Sequence, residues 1–89
     1  MGPIATEMTQ RLQQAFAPQQ LQVHNDSDRH AGHAGHDGSG ESHFTIEIVA
    51  AAFTGLSRLD RQRKINAVLK DLLAGKIHAL AIKARAPGE

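Results

Sequence analysis

Apolar residues recur at helical spacing along the first stretch of the chain. Ile4, Met8, Leu12, Ala15 and Phe16 fall on one side, with Glu7, Gln10, Arg11 and Gln14 on the other. This pattern predicts an amphipathic helix over about residues 4–17, closed by Pro18, which cannot continue the hydrogen-bond ladder. The period then changes from helical to alternating. Leu21, Gln22, Val23 and His24 read as a short half-buried strand with His24 on its polar side, and Asn25, Asp26 and Ser27 break it. Alternation resumes over residues 43–49. Phe44, Ile46 and Ile48 face a core while His43, Thr45 and Glu47 face out, which predicts a second strand antiparallel to the first.

Phe53, Thr54 and Gly55 form a turn signal, and Ser57 with Asp60 three residues later is a capping box that opens a helix. Ile65, Val68, Leu69, Leu72 and Leu73 make its apolar stripe, and Gly75 stands where a left-handed C-cap is expected. Residues 77–85 read as a last strand, with His78, Leu80, Ile82 and Ala84 on one side and Ala79, Ala81, Lys83 and Arg85 on the other, stopped by Pro87. There is no internal repeat. The expected order is helix, two strands, helical segment, strand. Such an order builds an α+β layer with helices packed on one face of a small sheet.

Residues 26–42 have almost nothing apolar beyond alanine, and Gly32, Gly35, Gly38 and Gly40 loosen the backbone, so a long mobile loop is expected there. Loops of this length within small domains are usually functional or disordered. The 89 residues suffice for one domain, which buries roughly 60–65% of its unfolded surface. Formal net charge is +1, which argues against wholesale electrostatic binding to nucleic acid but leaves room for a locally basic face. The longest apolar run, about residues 46–53, is far too short to span a bilayer, so no membrane role is expected. Met1, Gly2 and Thr6 fit the spacing of a myristoylation signal, but Pro3 follows the glycine directly and so short a match arises readily by chance. No targeting segment is visible.

The chemistry on offer is that of histidine. The chain has six histidines and no cysteine, so any metal or cluster chemistry must use nitrogen from this chain and take sulfur from elsewhere. His30, His33 and His36 follow a His-x-x-His-x-x-His spacing within the glycine-rich loop. Either ring nitrogen of each could ligate a metal, and the glycines let the loop fold around an ion; the alternative is a solvated loop whose imidazoles only titrate. His78 is placed by regular structure, at the mouth of a strand beside Leu80, where composition alone suggests a partly buried, hydrogen-bonded side chain. His43 opens a strand on the outward side, with packing or a hydrogen bond as its plain reading. None of these regions sets a general base beside a nucleophile, so no catalytic residue is assigned.

Arg58, Arg61, Arg63, Lys64 and Lys70 make a basic face on the second helix that could meet phosphates, although such a face is usually only solvated. The aromatic residues are three phenylalanines, with no tyrosine or tryptophan to stack on bases. Gly32, His33, Ala34 and Gly35 make a GxxG string, but between strands rather than helices, and no Walker lysine follows the glycines.

Taken together, five spaced strings resemble the BolA family across nearly the whole chain: Asn25-Asp26-Ser27 followed by His30; Glu41-Ser42-His43-Phe44; Phe53-Thr54-Gly55; Leu59 with Arg61 and Arg63; and His78-Ala79-Leu80-Ala81-Ile82. The resemblance implies an α-β-β-α-α-β fold like a class II KH domain, which adds a short third helix before the last strand. It also implies a non-enzymatic partner of monothiol glutaredoxins, joined to them through a shared 2Fe-2S cluster. The glutaredoxin cysteine and glutathione would supply sulfur and this chain nitrogen, from His78 and from the loop, where His30 aligns best and His33 and His36 are alternatives. Gln62 stands where many relatives carry a histidine between the two arginines. A small DNA-binding regulator acting through the basic helix is the second reading. The expected location is a bacterial cytoplasm or an organelle matrix or stroma.

Overall fold

The computed structural model describes residues 2–26 and 42–89. Helix α1 spans Pro3–Phe16, with proline in its first turn, where the missing N–H leaves no bond unmade. Ala5, Met8 and Leu12 are its buried residues, so the inward stripe is carried by Ala5 and not by Ala15, which is exposed. The helix ends at Ala17, which adopts a left-handed φ of 46° as its N–H donates to the Gln13 carbonyl. Strand β1 (Gln20–Asn25) pairs antiparallel with β2 (His43–Val49), as the alternation predicts. After β2 a short 3₁₀ turn over Ala51–Phe53 leads to Gly55, whose φ of 79° suits glycine, and so into the next helix.

Helix α2 (Arg58–Val68) opens on Ser57, whose side chain accepts the Asp60 N–H at 3.1 Å. Leu69 interrupts the helix, and α3 (Lys70–Gly75) follows it. The apolar stripe is nevertheless continuous: Ile65, Leu69 and Leu72 are buried. Gly75 does not form the expected left-handed cap. The helix closes on Lys76 with a negative φ of −121°, its N–H and that of Ile77 both donating to the Leu72 carbonyl, so the conformational freedom of glycine is not used there. Strand β3 is Ala79–Arg85, shorter at its start than the expected 77–85: Ile77 is buried as an anchor and His78 lies in the bend before the strand.

The sheet order is β1-β2-β3, with β3 parallel to β2. A parallel neighbour requires a crossover, and the two helices between β2 and β3 supply it. Phe44, Ile46 and Ile48 of the central strand pack with Met8, Leu12, Phe53, Ile65 and Leu69 under the helices. The other face carries Gln22, His24, Thr45, Glu47, Lys83 and Arg85 and, among the described residues, has no helix over it. Arg11 ties α1 to α3 through both carboxylate oxygens of Asp71, and its guanidinium holds that carboxyl down at about 2. This is the α+β architecture that the sequence pattern predicts, with the short third helix that the family resemblance implies.

Candidate metal centre at the mouth of the sheet

Parallel pairing sets the starts of β2 and β3 side by side, with His43 opposite Ala79. Their two histidines are thereby brought together. The imidazoles of His43 and His78 have centroids 6.1 Å apart and meet edge to face at 69°. Ser42 organises the pair: its carbonyl accepts the N–H of His78 at 2.8 Å and that of Ala79 at 3.3 Å, and its hydroxyl bonds Nδ1 of His43 at 2.8 Å. Ser42 is completely buried. The backbone of His78 is therefore fixed on one side by Ser42 and on the other by buried Ile77, while its side chain is exposed. An exposed ring on a fixed backbone can reach a ligand without a large ordering cost.

Asp26 and Ser42, the described residues on either side of 27–41, both lie at this place. The Asp26 N–H donates to the His43 carbonyl at 2.7 Å, and the Asp26 carboxylate accepts from Thr45, so the chain leaves β1 beside the histidine pair and returns at Ser42. His30, His33 and His36 themselves lie outside the described residues, as does the loop reading of 27–41. Among the described residues, no group of three or more His, Cys, Asp or Glu gathers closely enough to hold a metal ion. The donors that the described residues gather here are two imidazoles, a set that suits iron, zinc or copper as part of a coordination sphere and that needs further ligands to complete it. His24 is not part of this pair; its Nε2 bonds Glu47 at 2.6 Å on the open sheet face.

The basic helix divides into two kinds of residue. Arg58, Arg63, Lys64 and Lys70 are exposed, with Arg63 3.8 Å from Asp60. Arg61 is not part of that outward face. It is 8% exposed, and its guanidinium donates to the carbonyls of Leu56 and Ala84 and, at 2.6 and 2.7 Å, to both oxygens of Glu89. Arg61, with help from the Ala86 N–H, holds the Glu89 carboxyl down at about 2. The expected cluster thus loses its central member to the fold.

A family model described as BolA-like protein matches residues 12–89. The chain belongs to the BolA-like family. BolA-like protein 1 of Pongo abelii is 44% identical over the whole chain, which spans 62% of that relative's length. An uncharacterized protein in the cobS 5' region of Sinorhizobium sp is 50% identical over 89% of this chain and 86% of its own. Among solved structures, the BolA domain of SufE1 from Arabidopsis thaliana superposes with a TM-score of 0.87 at 37% identity, covering 98% of this chain and 95% of that one. Sequence reasoning gives His43 packing or a hydrogen bond, and the residue makes one with Ser42, but that reasoning does not set it beside His78. The signal that places it beside His78 was present, because a β-α-β order makes both strands start at the same edge.

Proposed function

We propose that this BolA-like chain is a non-enzymatic accessory protein in iron-sulfur cluster assembly, trafficking or iron signalling, and that it forms a 2Fe-2S-bridged heterodimer with a monothiol glutaredoxin. His78 would give one nitrogen ligand and the loop a second, from His30 or else His33 or His36. The partner's cysteine and its glutathione would give sulfur. The observation that carries this reading is the exposed imidazole of His78 on a backbone fixed by Ser42, in a chain without any thiol of its own. When bound, such a cluster offers one-electron chemistry at a potential that nitrogen ligation raises relative to all-sulfur ligation. The chain's own residues present the nitrogen, fix its position and leave the remaining ligands to the partner. Two relatives from Arabidopsis thaliana carry chloroplastic or mitochondrial in their names, which supports an organelle. Among the described residues, no helix is long and apolar enough to cross a membrane.

The test is a titration of cluster-loaded monothiol glutaredoxin with this protein, followed by absorption and circular dichroism. A new spectrum that saturates at equal amounts of the two chains, with co-elution as a heterodimer, is expected. A spectrum unchanged by a large excess would overturn the reading. The four exposed cations on α2 and α3 favour a second reading, a small DNA-binding regulator. A steeply salt-dependent affinity for duplex DNA in the absence of glutaredoxin would support it.

A further inference from the structure

Among the described residues, strand β3 has a neighbour on one side only. The Arg85 carbonyl turns toward β2, where it accepts the Ala50 N–H. Peptide groups alternate in direction along a strand, so Ala81 and Lys83 also turn toward β2, while Leu80, Ile82 and Ala84 turn toward the open edge. The far end of that edge is closed: Arg61 donates to the Ala84 carbonyl at 3.1 Å, and Glu89 accepts the Ala86 N–H at 3.1 Å. Among the described residues, no hydrogen bond reaches the outward peptide groups of Leu80 and Ile82.

Helix α2 runs beside this edge. Between them is a cleft of about 490 Å³ whose lining includes Arg58, Gln62, Ile82, Lys83, Ala84 and Arg85. Ile82 and Ala84 are only partly buried and make an apolar floor. Arg58, Lys83 and Arg85 make a cationic rim; of the nearby carboxylates, Glu89 and Asp60 already face Arg61 and Arg63, and Glu47, opposite Lys83 in the register, is bonded to His24 at 2.6 Å. An edge strand and a helix that together form a groove with unmet backbone groups are the two walls used when a peptide adds to a sheet.

We infer that this groove takes an extended acidic segment of a partner protein, which adds to β3 as a fourth strand. Its alternate side chains would serve both surfaces, apolar ones lying over Ile82 and Ala84 and carboxylates standing across from Lys83 and Arg85 on the open sheet face. A second copy of this chain is a poorer occupant, because pairing β3 with itself crowds two sets of Lys83 and Arg85 on one face. Single-stranded nucleic acid is also poorer: Phe44 and Phe53 are buried, Phe16 packs on Phe53, and the chain has no tyrosine or tryptophan to stack on a base. The inference does not rest on the metal reading.

The test uses the whole isotope-labelled chain and an acetylated octapeptide of alternating glutamate and valine at low salt. The amides of Leu80 and Ile82 should shift and exchange more slowly with solvent. The same peptide N-methylated at alternate residues should bind roughly tenfold more weakly or worse, the loss expected for two or three edge hydrogen bonds. Lys83→Glu with Arg85→Glu, both exposed, should reverse the preference toward an alternating lysine and valine peptide. Equal binding of the N-methylated peptide, absence of binding, shifts confined to the outer face of α2, tighter protection of the same amides by an oligothymidine, or protection of them by self-association would each overturn the inference.

Discussion

His43 and His78 stand edge to face at 6.1 Å because one opens β2, the other immediately precedes the parallel strand β3, and both are tied to Ser42, His43 through the serine hydroxyl and His78 by donating its backbone N–H to the Ser42 carbonyl. The consequence is a pair of imidazoles at one end of the sheet, beside Asp26 and Ser42, the described residues that flank 27–41. Neither residue needs a long side chain to reach the other, because the pairing of His43 with Ala79 sets the residue before Ala79 beside the start of β2.

Replacing His78 by alanine should separate fold from ligation. The side chain is exposed, and the hydrogen bond that fixes the residue runs from its backbone, so the change in stability should stay within about 0.5 kcal/mol. The mixed-ligand cluster spectrum should be lost or strongly weakened in the same variant. A folded His78→Ala protein with the native cluster spectrum would contradict the assignment; denaturant unfolding and circular dichroism give the two readouts.

Among the loop histidines, His30→Ala should alter cluster lability more than His33→Ala or His36→Ala, since His30 holds the position after Asn25 and Asp26 that best matches the family pattern. Cluster half-life in the presence of a chelator is the measurement. Three indistinguishable single variants, with loss only in the triple variant, would mean that the loop ligand is shared.

Much of this fold was legible because each element carries its own signal: the helical period of Met8 and Leu12, the alternation of Phe44, Ile46 and Ile48, and the Ser57 cap. What sequence reading missed came from assigning roles by residue type. Arg61 was grouped with the exposed cations, yet it sits one turn before Ile65 on the inward stripe, and extending that stripe backwards places it facing β3. Gly75 was read as a left-handed cap because it is a glycine; the backbone closes at Lys76 in an ordinary conformation. The partner of Arg61, Glu89, lies far away in sequence, and no local pattern could identify it.

Arg61→Ala should therefore lower Tm by several degrees, whereas Arg63→Ala, at an exposed and loosely paired site, should leave it nearly unchanged. The first removes a donor from two backbone carbonyls and from Glu89 at once. Calorimetry on the two variants checks the contrast. Equal, small effects would show that the Arg61 clasp contributes little.

Acid should weaken the fold over a definite window. The carboxyls of Glu89 and Asp71 are held at about 2 in the folded chain, below their ordinary 4.5 and 3.8, by Arg61 and Arg11 respectively. A depressed folded value means that the ionised form favours folding: the contribution is complete above the unfolded values and disappears as pH falls toward about 2. Tm should fall across that interval, and Glu89→Gln together with Asp71→Asn should flatten the fall. A pH profile identical in the double variant would show that these pairs do not couple to folding.

The most direct measurement is electron spin echo spectroscopy of the reduced cluster in the heterodimer, prepared with this chain labelled with ¹⁵N-histidine and an unlabelled glutaredoxin. The account predicts modulation from directly bound ¹⁵N that changes when His78 is replaced by alanine, because this chain supplies nitrogen and its partner sulfur. A reduced cluster in the intact heterodimer without any coupling to the labelled histidine would contradict it.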